Sequence, residues 1–192
     1  DIICAEGEAG KRRGVAICMD CRNHSMDFAR AAAEVCAANG IHVRIFEALR
    51  PTPELSFAVR EYGCQAGINI TASHNPKEYN GYKVYWEDGA QLPPQHADAV
   101  AKRLSEIDIF TDIRTMPYDE AVKAGFIETL GAETDEKFLT QVMGQANDPE
   151  TVAKVADTFK VVYTPFHGTG YQLIPEALRR LGIRQLLCLP EQ

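Results

Sequence analysis

The order of strand-like and helix-like segments in residues 15–70 is the feature that most constrains the fold. Val15–Met19 is a short, continuous apolar run, which is typical of a buried parallel strand. Two helical patterns and two further strand candidates follow it. In chain order the five segments are 15–19, 25–38, 41–46, 52–62 and 64–70. This β-α-β-α-β order predicts a layered α/β sheet with right-handed crossovers.

The remaining chain extends this domain and then begins another. Residues 82–86 predict a strand, and residues 94–107 predict a helix whose apolar face, including Leu104, is directed inward. Residues 108–132 show no regular pattern, residues 133–145 predict a helix, and Asn147-Asp148-Pro149 indicates a helix stop and a domain boundary. A second β-α-β pattern follows at 159–163, 171–181 and 185–189.

Together these patterns predict one domain followed by an incomplete second unit. Residues 1–148 form a three-layer α/β/α domain with a mixed, mostly parallel sheet. Residues 149–192 form an incomplete second α/β unit, because so short a β-α-β segment cannot bury both faces of its sheet. The apolar residues Val161, Leu178 and Leu186 would stay uncovered there, which favours self-association.

Charge and cysteine usage restrict the partners and the compartment. The net charge of −7 argues against nucleic acid or an anionic membrane as the main partner, since both require a positive field. A phosphate ligand remains compatible, because a few local cations and backbone N–H groups can hold it. The six scattered cysteines are interpreted as free thiols in a reducing, cytoplasmic compartment. Cys18 and Cys21 form a C-x-x-C without a second ligand pair for zinc.

The polar loop Thr71–Pro76 carries the strongest chemical signal. It follows a predicted buried strand, and α/β sheets place ligands at the carboxyl ends of their strands. A serine that shuttles a phosphoryl group needs a proton acceptor and neutralisation of the phosphate charge, and Ser73, His74 and Lys83 could supply them. On the chemistry alone, a surface turn with an Asx-type bond from Asn75 is the alternative.

Several motifs in the same order resemble the α-D-phosphohexomutase superfamily. The serine loop 71–76 continues as Tyr79-Asn80-Gly81-Tyr82-Lys83-Val84 and is similar to that family's active-site loop. Segments 20–22, 50–53 and 164–170 also resemble family segments, and residues 82–91 are most similar to its phosphoglucomutase and phosphopentomutase branch.

The resemblance implies a reaction and a set of residues. The family interconverts sugar 1-phosphates with sugar 6-phosphates, or with 5-phosphates for pentoses, through a phosphoserine and a bisphosphate intermediate. Ser73 would be the phosphoserine, and its phosphate would be one ligand of a Mg²⁺ ion. His74 and Lys83 would share the acid/base and phosphate-stabilising roles. Asn75, Arg22 and Arg50 would bind substrate or phosphate. Glucose 1-phosphate would be the substrate and glucose 1,6-bisphosphate the primer.

Departures from the family pattern are equally informative. The family's D-G-D-x-D-R metal loop, its G-E-x-S sugar-recognition loop, its C-terminal phosphate loop and its opening Gly/Arg-rich strand are absent from the sequence. The chain, which begins with Asp1, therefore resembles an excised portion of a longer mutase that would be inactive alone. Phosphomannomutase and phosphopentomutase activities stay open as alternatives. A non-catalytic binding or regulatory fragment and another phosphoryl-transfer enzyme, such as a phosphatase, also stay open.

Overall fold

A computed structural model of the chain describes residues 1–191 and contains two compact units, one over Asp1–Leu130 and one that begins at Gly131. The first unit contains α1 (Ile2–Ala5), α2 (Gly7–Arg13), β1 (Val15–Met19), α3 (Ser25–Ala38), β2 (Val43–Phe46), α4 (Thr52–Glu61), β3 (Ala66–Ile70), β4 (Tyr82–Trp86), α5 (Pro94–Leu104), α6 (Tyr118–Lys123) and β5 (Ile127–Leu130). The second contains α7 (Ala132–Met143), α8 (Pro149–Val155), β6 (Lys160–Tyr163), a 3₁₀ turn (Thr169–Tyr171), α9 (Leu173–Arg180) and β7 (Gln185–Cys188). Across residues 1–191, every helix is too short or too polar to cross a bilayer.

The first unit is built on a five-stranded mixed sheet in the order β4-β3-β1-β2-β5. Four strands are parallel, and β4 alone in this sheet runs antiparallel, against β3. The central strand β1 pairs Ile17 with Ile45 of β2 on one side and with Ile68 of β3 on the other. The predicted fold class, an α/β domain with a mixed, mostly parallel sheet, is confirmed.

The two faces of the sheet have separate cores, which explains the apolar character of β1 on both sides. Val15, Ile17 and Met19 belong to the core that includes α3, whereas Ala16 and Cys18 belong to the core that includes α4. All five residues are at most 2% exposed. Because side chains alternate along a strand, only a strand covered by helices on both faces can be continuously apolar.

Gly14 allows the chain to pass from α2 directly into β1. Its φ is +65°, and a Cβ atom there would lie 2.0 Å from the carbonyl oxygen of His42. The N–H of Val15 donates to the same carbonyl at 2.9 Å. A side chain at position 14 would therefore push His42 away and break this hydrogen bond, which precedes the pairing of β1 with β2.

The structure corrects several predicted elements. Helix α5 is present, but none of its residues is buried, and Leu104 is 65% exposed rather than directed inward. The region predicted as irregular contains α6 and β5. Asn147-Asp148-Pro149 does not stop a helix; Asp148 caps the start of α8 by accepting from the N–H of Thr151 at 2.9 Å, and Pro149 occupies its first turn.

The second unit contains a parallel pair of strands, β6 and β7. Three residues that were predicted to be uncovered are half-buried: Val161, Leu178 and Leu186. On the other face, Val162 and Leu187 are 66% and 58% exposed. The predicted family-domain boundary after Asp148 falls within this unit and stays a prediction.

The two cores of the first unit predict a strong contrast between two leucines. Leu55 of α4 is fully buried against the sheet, whereas Leu104 of α5 is mostly exposed. We expect Leu55→Ala to lower the free energy of unfolding by about 2–5 kcal/mol, since it leaves a cavity. Leu104→Ala, the matched control, should change it by less than about 0.5 kcal/mol. Urea unfolding of both variants measures the difference, and equal effects would contradict the assigned packing of α4 and α5.

Candidate active site

The serine loop, defined as residues 71–81, leaves the carboxyl end of β3 and returns as β4. Its two ends are joined where the N–H of Thr71 donates to the carbonyl of Gly81 at 3.0 Å. A Cβ atom on Gly81 would lie 2.6 Å from the carbonyl oxygen of Thr71, so this close approach requires glycine. The loop is therefore held at both ends by the same antiparallel pair of strands.

Ser73 lies in the exposed part of this loop with a left-handed backbone, at φ 60°. A left-handed non-glycine residue costs about 1–2 kcal/mol, and such strain is concentrated at functional sites. The Ser73 N–H donates to Oγ1 of Thr71 at 3.1 Å. Ser73 Oγ lies 2.9 Å from Nδ1 of His74, so the imidazole can exchange a proton with the hydroxyl when Nδ1 is unprotonated.

Arg22 reaches the serine loop from the segment after β1. Its side chain is only 7% exposed and is paired with Asp20 at 2.9 Å. The guanidinium donates to the backbone carbonyls of Asn75 at 2.5 Å and Pro76 at 2.9 Å, and also to that of Ser73. The structure therefore brings Arg22 and Asn75 together with the serine, through the backbone of the loop. The Asn75 side chain itself is exposed.

Lys83 lies near the start of β4, at the end of the sheet from which the serine loop emerges. It is half-buried, and its ammonium group has no hydrogen-bond or ion-pair partner among residues 1–191. Its cross-strand neighbour Asn69 is 2% exposed and donates to Oγ1 of Thr52 at 2.8 Å. An unpaired cation at this sheet end can neutralise an anion brought to the loop mouth.

Arg50 is placed differently from the loop residues. Its side chain is 2% exposed, and its guanidinium lies 3.6 Å from Glu47 and 3.8 Å from the fully buried Glu54. Its backbone carbonyl accepts a hydrogen bond from the Cys18 thiol at 3.0 Å. Burial raises the pKa of that thiol to about 12, so Cys18 stays protonated. A phosphate contact by Arg50 stays a prediction.

A cavity of about 680 Å³ lies beside the serine loop, between α3 and the start of β4. Side chains of α3, among them Phe28 and Val35, form one wall, and Ile70 and Tyr82 belong to the other. The lining is mostly apolar and includes a carboxylate, that of Glu78 in the serine loop, so it does not suit a sugar phosphate; neither Ser73 nor His74 lines it. We therefore assign the candidate chemistry to the exposed serine loop rather than to this cavity.

The donor groups of the chain do not fit a complete Mg²⁺ site. Within residues 1–191 no three His, Cys, Asp or Glu side chains are gathered to hold a metal ion. Mg²⁺ prefers near-octahedral coordination by oxygen, and a phosphate on Ser73 would provide only part of it. The residues described here therefore do not account for the ion that the family resemblance implies.

Sequence reasoning missed two residues that shape the loop. Thr71, rather than Asn75, provides the side-chain hydrogen bond within the turn. Asn80 enters the sequence analysis only as a member of the motif that continues the serine loop, yet its amide donates to the carbonyl of Asn23 at 3.2 Å and to Oγ of Ser25 at 2.9 Å. An asparagine directly before a glycine is a local turn signal, and nothing local indicates its distant partners.

Known proteins are similar to this chain in sequence. Residues 3–109 match the family model of phosphoglucomutase/phosphomannomutase, alpha/beta/alpha domain I. The chain belongs to this family. It is 35% identical over 178 residues to a phosphoglucomutase of Staphylococcus saprophyticus, covering 93% of the chain and 31% of that protein. A phosphoglucomutase of Staphylococcus aureus is 35% identical over 175 residues, covering 89% and 30%.

Solved structures are also similar to this chain. The chain is similar to a putative phosphomannomutase from Thermus thermophilus, with a TM-score of 0.75 and 26% identity over 93% of the chain and 37% of that structure. The fold of pp63/parafusin, a phosphoglucomutase from Paramecium, matches with a TM-score of 0.68 at 21% identity over 96% of the chain and 38% of that structure. The chain thus spans about a third of the length of these relatives.

The contact between Gly81 and Thr71 generates a prediction about the loop. A methyl group at position 81 would collide with the Thr71 carbonyl, so Gly81→Ala should break the hydrogen bond that closes the loop. We expect amide exchange at Thr71 to accelerate at least tenfold, equivalent to about 1.4 kcal/mol. Gly144→Ala, where the new Cβ would be 3.4 Å from its nearest neighbour, is the control. Unchanged exchange at Thr71 in Gly81→Ala would show that the loop tolerates a side chain there.

Proposed function

We propose that the chain is the serine-bearing portion of a phosphosugar mutase and that Ser73 carries the phosphoryl group. The observation that supports this most directly is the left-handed, exposed Ser73, with Oγ 2.9 Å from His74 Nδ1. Lys83, at the same end of the sheet and without a hydrogen-bond or ion-pair partner within residues 1–191, adds a cation for the phosphate. Family membership supports a mutase rather than a phosphatase.

The proposed step transfers a phosphoryl group between Ser73 and a sugar hydroxyl. The bond between Ser73 Oγ and phosphorus breaks while a bond from the sugar oxygen to phosphorus forms. The sugar hydroxyl loses its proton to a base, and Ser73 Oγ regains one from the neighbouring imidazole of His74. The reverse transfer from the bisphosphate, through its other phosphate, restores phosphoserine. Lys83 would reduce the negative charge that opposes both transfers.

The substrate and cofactors form part of this proposal. Glucose 1-phosphate and glucose 6-phosphate follow from the relatives named phosphoglucomutase, while the Thermus structure named as a putative phosphomannomutase keeps mannose phosphates as the second candidate. Glucose 1,6-bisphosphate would supply the first phosphoryl group. Mg²⁺ would supply charge neutralisation when bound, with its remaining ligands outside the present chain. The free thiols agree with a cytoplasmic site of action.

Because the chain spans about a third of its relatives, we propose that complete activity belongs to a longer protein. Remote parts of a substrate contribute binding energy to the reaction only where the protein contacts them. The 192-residue chain alone should therefore be inactive as a mutase. Turnover within a hundredfold of the longer protein would contradict this part of the proposal.

Replacing the phosphoryl acceptor tests the central assignment. In the full-length protein that carries this chain, Ser73→Ala should lose more than nine-tenths of mutase turnover, a barrier increase above about 1.4 kcal/mol, since it removes the only oxygen proposed to accept the group. A coupled assay of glucose 6-phosphate formation, with Mg²⁺ and glucose 1,6-bisphosphate, measures it. Parallel assays with mannose 1-phosphate and ribose 1-phosphate identify the sugar.

The matched control for this variant is Ser105→Ala, which changes an exposed serine after α5. It should keep wild-type turnover. Intact mass after incubation with the bisphosphate gives a second measurement: the wild type and Ser105→Ala should gain one phosphoryl group, and Ser73→Ala should gain none. Retention of more than a tenth of turnover, or phosphorylation of the Ser73→Ala protein, would refute the covalent role.

The unpaired ammonium of Lys83 generates a separate prediction. A cation beside a dianionic phosphate at a partly buried site contributes more than a surface charge. We expect Lys83→Ala to lower kcat at least tenfold in the full-length protein while the unfolding midpoint changes little. Lys102→Ala on the exposed face of α5 removes the same charge elsewhere and should leave kcat unchanged. Equal kcat values for the two variants would show that Lys83 is a solvated strand residue without a part in catalysis.

A further inference from the structure

One guanidinium binds four of the backbone carbonyl groups of the serine loop. Nη1 of Arg22 donates to the carbonyls of Asn75 at 2.5 Å, Pro76 at 2.9 Å and Tyr79 at 3.3 Å, while Nη2 donates to that of Ser73. These four acceptors belong to residues more than fifty positions away in sequence. Their carbonyl dipoles converge on one point, where they would repel one another without a cation.

Asp20 fixes the direction of this guanidinium. Its Oδ2 accepts from Nε of Arg22 at 2.9 Å, and its Oδ1 accepts from the Arg22 backbone N–H at 3.1 Å and from Oγ of Ser25 at 3.0 Å. The same Ser25 hydroxyl accepts from Asn80 Nδ2 at 2.9 Å. These hydrogen bonds therefore join the end of β1 and the start of α3 to the far end of the serine loop.

Each nitrogen of the Arg22 guanidinium is consequently engaged by a protein group. Nε faces the Asp20 carboxylate, and both terminal nitrogens face loop carbonyls. The side chain is also 93% covered, with 7% exposed. Phosphate binding through Nε or Nη1 would require the guanidinium to release Asp20 or the loop that presents Ser73. This geometry favours an indirect role over the direct phosphate contact expected from the sequence.

The geometry points to Arg22 as a positioning residue that holds Ser73 in its left-handed backbone and thereby directs Oγ toward His74. The strained φ of Ser73 requires support from its surroundings, and a hydrogen bond to the carbonyl of Ser73 itself supplies it. The three nitrogens of a planar guanidinium together reach four loop carbonyls and a carboxylate, whereas the compact ammonium of lysine cannot span them. The catalytic meaning of this role rests on the function proposed above, but the positioning itself does not.

Nuclear magnetic resonance of the 192-residue chain tests the positioning without any turnover. Three variants are compared with the wild type: Arg22→Ala, Arg22→Lys, and the control Arg60→Ala, which removes an exposed arginine of α4 that donates to the carbonyl of Ser56. The ¹⁵N shift of His74 Nδ1 reports the contact with Ser73, and amide exchange at Thr71 and Asn75 reports loop order. The urea midpoint reports global stability.

We expect Arg22→Ala to shift His74 Nδ1 toward the value of a free imidazole and to accelerate loop exchange more than tenfold, in protein that is still folded. Guanidinium chloride at tens of millimolar should partly restore both signals, whereas the same concentration of potassium chloride should not. Arg22→Lys should resemble Arg22→Ala, and Arg60→Ala should resemble the wild type.

Three results would overturn the assignment. The first is that Arg22→Ala lowers the urea midpoint but leaves the His74 and loop signals unchanged, because Arg22 would then stabilise the fold without positioning the loop. The second is wild-type signals in Arg22→Lys, which would show that the planar guanidinium is not needed. The third is equal rescue by potassium chloride. If Arg22→Ala fails to fold, Asp20→Asn replaces it in the experiment. Amide exchange in the serine loop must then accelerate, and unchanged exchange would refute the positioning role of Arg22.

The full-length protein separates this inference from the proposed function. There, Arg22→Ala should slow phosphoryl transfer to Ser73 while the KM for the sugar phosphate changes little; a raised KM with unchanged kcat would instead indicate direct substrate binding and overturn the positioning role. Failure of the wild type to accept a phosphoryl group would refute the mutase proposal, and the resonance signals would still decide the role of Arg22.

Discussion

The return of the chain from β3 into the antiparallel strand β4 is the constraint on which the site depends. All other neighbouring strands of the five-stranded sheet are parallel and are connected through helices, so only this connection can be a short loop. Pairing of Ile70 with Tyr82, followed by the hydrogen bond between Thr71 and Gly81, fixes both ends of the loop. Ser73 therefore has a defined place relative to the sheet.

The sheet supplies the second part of the site by bringing distant segments to one edge. The carboxyl ends of the adjacent parallel strands β1 and β3 lie side by side, with the N–H of Asp20 donating to the carbonyl of Ile70 at 3.2 Å. This contact places Asp20 and Arg22 directly against the serine loop. Ligand sites at the carboxyl ends of parallel strands are a general consequence of such topology, and here the loop after β1 supports the loop after β3.

The core of the domain could be predicted from the sequence because its hydrophobic pattern is strong. A strand buried on both faces must be apolar throughout, as Val15–Met19 is, and the helices that cover it must carry apolar residues at helical spacing. Weaker features were predicted incorrectly: strand β5 was missed, and helix α5 was predicted with the wrong burial. Strand β5, Ile-Glu-Thr-Leu, lies at an edge of the sheet and buries only its first and last residues, so it shows neither alternation nor a continuous apolar run. Helix α5 has an apolar face, but no packing within the described residues buries it.

The sequence by itself determined the fold class and the family and predicted the serine loop as the candidate site, because continuous apolar strands, helix spacing and the run Thr71–Pro76 are local features of the chain. Only the tertiary structure decided the left-handed backbone of Ser73, the burial of Arg50 beside Glu54, and the convergence of four loop carbonyls on Arg22. The physical reason is that backbone carbonyls occur at every residue and carry no sequence signal. Which of them meet a particular guanidinium is set by strand pairing and loop path, not by residue type.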